Sequence, residues 1–406
     1  MKNCLMFTYA YAPSFNAGVQ RPLKFAHYLP SYGYNPIIIT AQLTNDNFHE
    51  KGIYRIGNNW IELELNGGIK SIPLRMLRRI LYQSGIIQGY NYFWYKKVLK
   101  ILPKIVKDES PDIIYATYPP IEPVMLGIAA SKQSNTPLVV DFRDGFVFEP
   151  FAPVLFPAAI RNKRTEKHVV ANCHHIIGAT EPITNYFRQH YPGINASTIT
   201  NGFDSSDWSG LKQFDLGTKI NIVYTGSLST AGANRTIEPL LKGIDYLTKE
   251  ERESISVYVI GNCTERERSQ LINGYGDIFR IIGSVPRREA LRYQISADVL
   301  LLITGTENTS EATGKIFEYL MSARPILGIT GQTVARNIIE KTGTGICVDP
   351  TDPGEIANVL NKLIKLYPNY GFYKPVNNEI LKYSRKELTG QLAQIFDGIL
   401  HSRVKG

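Results

Sequence analysis

Residues 297–329 read ADVLLLITGTENTSEATGKIFEYLMSARPILGI. ADVLLLI (297–303) is apolar on both faces, as a strand in a parallel sheet covered by helices must be. TGTENTSEATG (304–314) is polar and rich in turn residues, and reads as a loop. KIFEYLMSA (315–323) is the following helix, and RPILGI (324–329) the next buried strand. Strand, crossover helix, strand is the unit of a doubly wound α/β sheet.

The same alternation runs in both directions from this point. INIVYTG (220–226), ISVYVIG (255–261), IFRIIG (278–283) and GICV (345–348) are further strands of this half. NCLMFTY (3–9), NPIIIT (35–40), PDIIYAT (111–117), PLVVDF (137–142), HIIGAT (175–180) and STIT (197–200) form an earlier series. Helices are expected between them at 21–33, 92–107, 120–132, 157–172 and 181–190. NGFDSSDWSGLKQFDLGTK (201–219) is rich in Gly, Ser and Asp and reads as a linker. The expected division is an N-terminal Rossmann-like domain (1–203), a linker (204–219), a C-terminal Rossmann-like domain (220–382) and a closing amphipathic helix (383–406). Two such α/β halves imply a central cleft, and ligands of such sheets bind outside the carboxyl ends of the strands.

A length of 406 residues also argues for two cores. Cys4, Cys173, Cys263 and Cys347 are scattered without a CxxC pair, which speaks against a zinc site or a disulfide framework and fits a reducing compartment. No apolar run approaches the roughly 20 residues that span a bilayer, and the first residues lack a leader's long apolar run. A cytoplasmic protein is expected, peripheral on the inner face of the cell membrane if its basic segment binds lipid. That segment carries much of the net charge of +9: Lys70 to Lys107 holds nine cations among many aromatics and no acidic residue. Two readings fit it, an anionic membrane surface as partner or a helix with solvated lysines. No nucleic-acid-binding pattern accompanies it, so nucleic acid is not an expected partner.

Lys315 and Glu318 carry chemistry into the opening segment. They lie in the first turn of a helix that follows a strand. The positive helix end, its free N–H groups and an ammonium suit a diphosphate. A carboxylate accepts only, and suits ribose hydroxyls. The plainer reading is an i,i+3 ion pair, worth about 0.5 kcal/mol or less. Asp141, Arg143 and Asp144 in VVDFRDGF (139–146) sit at the end of an apolar strand, where charge is costly unless used or paired. An internal ion pair of Arg143 with one of the aspartates is the structural alternative. His27, His174 and His175 read as packing residues.

This arrangement resembles the nucleotide-binding region of the GT-B glycosyltransferases, and family 4 in particular. Lys315, Glu318, Tyr319 and Pro325 match the pattern P-x-K-x-x-E-Y-x-x-x-x-x-P. Glu318 matches the second glutamate of E-x7-E; the first falls on Ser310, with Glu311 one place later. The resemblance implies two Rossmann-like domains facing a cleft, an N-terminal acceptor-binding domain and a C-terminal nucleotide-sugar-binding domain, and a retaining, hexosyltransferase-type enzyme. It would take a sugar from a nucleotide-diphosphate sugar donor, a co-substrate, to a glycan or lipid-linked acceptor, in surface polysaccharide or lipopolysaccharide assembly. No cofactor and no metal are expected, because cations already cover the phosphates. The resemblance carries donor-binding roles to Gly18, Gly226, Ser227, Asn234, Arg235, Gly283, Val285, Glu311, Thr313, Gly314, Lys315 and Glu318. It carries catalytic roles to Asp144, Arg235 and Lys315, and acceptor or loop roles to Arg21, Asp141 and Arg143. A UDP-sugar 2-epimerase on the same architecture, or a sugar-nucleotide-binding module without catalysis, remains an alternative, since fold does not fix function.

Overall fold

A computed structural model of the chain describes residues 1–14, 18–43, 50–57, 72–87, 89–150, 154–228, 236–305, 310 and 312–404, with backbone only at 72–75 and 404. The chain divides into two compact units, 1–200 with 385–406, and 201–384.

The first unit is a seven-stranded sheet of β1 (Lys2–Phe7), β2 (Tyr34–Ala41), β3 (Ile53–Ile56), β4 (Ile113–Tyr118), β5 (Leu138–Phe142), β6 (His175–Gly178) and β7 (Ala196–Thr198). Its order is β3-β2-β1-β4-β5-β6-β7, and every pairing is parallel. The helices are α1 (Gln20–Tyr28), α2 (Ile72–Gln83), α3 (Tyr92–Glu109), α4 (Glu122–Ser134), α5 (Phe156–Val170) and α6 (Glu181–His190). The helix expected over 21–33 stops at Tyr28 and tightens into a 3₁₀ turn, Leu29–Tyr32; Pro30 lacks the N–H that would continue the α ladder. Sequence reading did not anticipate β3, a four-residue edge strand, or α2, whose apolar residues are largely exposed.

The second unit has six parallel strands: β8 (Ile220–Thr225), β9 (Ile255–Ile260), β10 (Phe279–Gly283), β11 (Val299–Ile303), β12 (Ile326–Ile329) and β13 (Gly345–Val348). The order β10-β9-β8-β11-β12-β13 is the doubly wound 3-2-1-4-5-6 pattern, whose direction reverses between β8 and β11. Its helices are α7 (Glu238–Asp245), α8 (Lys249–Glu253), α9 (Glu265–Tyr275), α10 (Arg287–Ser296), α11 (Gly314–Ser322), α12 (Val334–Thr342), α13 (Pro353–Leu366) and α14 (Asn377–Leu381). Both faces of each sheet are covered, so each unit has two apolar layers.

Two segments differ from the expected division. The expected linker, 204–219, is bonded along the second unit. Phe214 N–H donates to Ser296 Oγ (2.7 Å) and Gln213 Nε2 to Ile295 O (3.0 Å). Phe214 also lies under the Arg292 guanidinium, 3.8 Å away. Polar bonds and the Phe214 ring together hold it there. The last helix, α15 (Arg385–Val404), belongs to the first unit. Leu388, Leu392, Ala393 and Phe396 pack with Phe25, Leu29 and Tyr34, and Asp397 accepts from Lys2 Nζ and Tyr34 Oη, both at 2.8 Å. No helix of the described residues is long and apolar enough to cross a membrane.

Candidate donor and acceptor sites

At the switch point of the second unit the backbone turns tightly. Gly226, after β8, has φ +106°, and Gly261, after β9, has φ +148°. Only glycine takes such conformations readily. A Cβ on Gly261 would also stand 2.3 Å from Gly226 O, and one on Gly226 would stand 3.1 Å from Lys315 Nζ. The lysine therefore hangs over the glycine turn. Its ammonium lies 4.0 Å from the centre of the Tyr224 ring, and Tyr224 Oη is turned away to donate to Ser227 O (2.7 Å).

Thr313 precedes α11 in an extended conformation but does not cap it with its side chain. Its Oγ1 is buried, and no described residue hydrogen-bonds it. Gly314, the first helical residue, is exposed with open space where a side chain would be. The first-turn N–H groups thus lack the usual side-chain acceptor, at a helix end that attracts anions.

Glu318 turns to other partners than Lys315. Arg287 donates to its Oε1 from Nη2 (3.0 Å) and Nε (3.2 Å), and reaches Asp207 from Nη1 at 2.8 Å. Gln294 Nε2 donates to Glu318 Oε2 (3.1 Å) and to Thr225 Oγ1 (3.1 Å). Thr225 N–H in turn donates to Tyr319 Oη (3.0 Å), which donates to Leu301 O (3.1 Å). The carboxylate is held rigidly from α10 while keeping lone-pair capacity for a further donor. Sequence reading missed Arg287 and Gln294; the only signal for Arg287 was its place just after Gly283 and Val285.

Of the other expected donor residues, Gly283 ends β10 and Val285 packs against the core around Val223, Ile260 and Phe317. Ser227 follows Gly226, half-buried. Asn234, Arg235 and Glu311 lie outside the described residues. A cavity of about 450 Å³, lined by Asp298, Arg324, Tyr367, Tyr370 and Tyr373 among others, opens at the opposite, amino ends of β11 and β12.

In the first unit, Arg21 is buried, not turned out from the start of α1. It makes a bidentate pair with Asp141 (both contacts 2.8 Å) and donates to Ile199 O and Thr200 O. Asp141 is fully buried and also accepts from Tyr115 Oη and Thr117 Oγ1. The internal pair is thus Arg21–Asp141. Arg143 instead donates to the carbonyls of Gly18, Tyr118 and Pro119, which ties the glycine loop to the β4 and β5 ends. Asp144 is left exposed beside it. The surrounding protein pushes its carboxyl above the ordinary aspartate value, with Arg143 opposing and Asp141 adding to the rise.

Sequence reading also missed Glu122, in the first turn of α4. It is buried, accepts from Asn91 N–H through Oε1, and no described residue hydrogen-bonds Oε2. Burial pushes its carboxyl up to about 6, against the pull of the Asn91 bond and Arg78. A strand-end residue followed by three prolines within six positions gave no sign that this glutamate would be covered.

Comparison with known proteins agrees with this architecture. Residues 219–366 match the family model described as "Glycosyl transferases group 1". No curated protein matches the chain. Among solved structures, HepE (Alr3699) of Anabaena in complex with UDP-glucose is 16% identical with a TM-score of 0.64, covering 98% of this chain and 100% of its own. Sucrose-phosphate synthase from Thermosynechococcus elongatus is 13% identical with a TM-score of 0.66, covering 99% and 100%. The lipopolysaccharide outer core galactosyltransferase WaaB is 15% identical with a TM-score of 0.60, covering 98% and 100%. At these identities the structural likeness speaks to the fold, while the family model speaks to the second unit. Residues 219–366 thus match the glycosyl transferases group 1 family, and the chain has the GT-B fold of these structures.

Proposed function

We propose that the chain is a retaining glycosyltransferase that moves a sugar from a UDP-type nucleotide sugar to a glycan or lipid-linked acceptor, in surface polysaccharide or lipopolysaccharide assembly. What supports this is the meeting of Gly226, Lys315 and the uncapped start of α11 at the switch point of the second sheet. The HepE complexes hold UDP-glucose or UDP, and WaaB acts on lipopolysaccharide outer core.

In the reaction the bond from the sugar's anomeric carbon to the diphosphate breaks, and the diphosphate leaves with the electron pair. Lys315 and the α11 N–H groups, already in place before it develops, stabilise that growing negative charge, and Arg235 adds a further cation. Glu318, oriented by Arg287 and Gln294, accepts from the ribose; Gly226 and Ser227 bring backbone close to the sugar and phosphates. Gly18, Asn234, Gly283, Val285, Glu311, Thr313 and Gly314 complete the donor site, and Arg143 shapes the acceptor loop. The acceptor oxygen bonds the same face of the carbon, which retains configuration, and Asp144 orients it or takes its proton. With cations on the phosphates no metal is needed. A membrane surface would present a lipid-linked acceptor.

Incubation with labelled UDP- and GDP-sugars tests the reading. The expected outcome is transfer or slow hydrolysis with retained configuration, unaffected by EDTA. Lys315→Ala should weaken UDP binding about ten- to hundred-fold and leave uridine binding unchanged. An epimerised sugar, binding without turnover, or a strict manganese or magnesium requirement would overturn it.

A further inference from the structure

The first unit carries exposed apolar side chains on α2, on the start of α3 and on the start of α5. Met76 and Ile80 stand out from α2, Ile86 from the turn after it, Phe93 from the first turn of α3, and Leu155 and Phe156 from the start of α5. Phe156 is 77% exposed and Ile86 71%. Scattered apolar residues are normal on a surface, but a contiguous patch marks an interaction site.

These residues rest on a bonded base. Arg161 of α5 donates to Tyr82 O (2.8 Å) and to Ile87 O. Asn162 Nδ2 donates to Tyr82 Oη (3.0 Å), and Leu155 N–H to Gln83 Oε1 (2.9 Å). Tyr82 stacks on Tyr90 with ring centres 4.5 Å apart. The base holds α2 and the turn after it against the start of α5, with Tyr90, just before α3, stacked on it.

The two readings of the basic segment now separate by helix. α3 spends its apolar side on the core, where Trp94, Val98 and Leu102 are buried, so its exposed lysines alone would be a solvated face. α2 spends little: Met76, Leu77 and Ile80 all face out. The rim is cationic, with Arg79, Lys96, Lys97, Lys163 and Arg164 exposed. No acidic residue lies between 71 and 107, and Glu166 of α5 is buried. A second copy laid on this face would set like charges against each other. Apolar side chains within a ring of cations complement an anionic bilayer instead, with acyl chains at the centre and headgroups at the edge.

We infer that the α2, α3 and α5 surface inserts shallowly into an anionic lipid bilayer, with Met76, Ile80, Ile86 and Phe156 entering the headgroup–acyl boundary and the cations binding headgroups. The face lies within one unit and needs no nucleotide sugar, so it stands or falls apart from the transfer reading.

The test is cosedimentation of the full chain with vesicles of phosphatidylcholine alone or mixed with phosphatidylglycerol. The anionic vesicles should bind more tightly, and high salt should weaken that binding. R79Q/K96Q/K97Q should lose roughly a hundred-fold on anionic vesicles, at about five-fold per cation. I80S/F156S should lose at least about ten-fold on both vesicle types, with the melting temperature unchanged because both side chains are exposed. Absence of vesicle binding, or binding that I80S/F156S leaves intact, would overturn the inference. So would a concentration-dependent dimer that I80S/F156S abolishes, which would make the patch a protein interface.

Discussion

Lys315 and Glu318 stand three residues apart in one helix, yet the fold gives them different neighbours: the glycine turn after β8 for the lysine, α10 for the glutamate. Glu122 shows the same dependence on surroundings more sharply. Its folded carboxyl titrates near 6, above the ordinary 4.5 of an unfolded glutamate, because it is covered. Between those values the folded chain holds a proton that the unfolded chain releases. Stability from this group therefore falls as pH rises through the window, and above it the buried charge costs about 2 kcal/mol. Glu122→Gln keeps an acceptor for Asn91 N–H and removes the charge. It should raise the melting temperature at pH 7.5 and flatten the stability difference between pH 4.5 and 6. A less stable variant at pH 7.5 would mean that the charge is favourably paired.

Among the elements, α1 is fastened to the end of β5 by Arg21 and Asp141, both without solvent contact. A buried pair stripped of one partner leaves an uncompensated charge, at a cost of about 3–5 kcal/mol. Asp141→Asn should therefore destabilise the chain by that order in urea unfolding. R21M/D141L, which removes both charges, should recover a large part of the loss. If the double variant is as unstable as the single one, the guanidinium's bonds to Ile199 O and Thr200 O, not the ion pair, secure the helix. The pairing was not legible locally: 120 residues separate its partners. What was legible was that charge at the end of an apolar strand needed a use; the nearest cation, Arg143, was the natural guess, and it serves three carbonyls instead.

At the scale of the molecule, the second unit is one continuous segment and the first is not. α15 supplies Leu388, Leu392 and Phe396 to the first unit's core, each at most 2% exposed. Burying a side chain of this kind is worth about 1.5–3 kcal/mol. Three together approach the whole stability of a typical domain. Deleting 385–406 should unfold the first unit while the second keeps its structure; two calorimetric transitions reduced to one would register this. Loss of both transitions would show the units to be interdependent. By itself the sequence determined the two α/β series, nearly every strand, and the positions of Gly226, Lys315 and Glu318 after their strands. These are local consequences of hydrophobic period and turn chemistry, which neighbouring residues set. Only the tertiary structure decided that Arg287 and Gln294 orient Glu318, that Arg21 belongs to Asp141, that Glu122 is covered, and that α15 returns to the first sheet. Each of these depends on side chains brought together from distant parts of the chain, and burial, charge pairing and hydrogen-bond geometry act through space, where no sequence spacing records them.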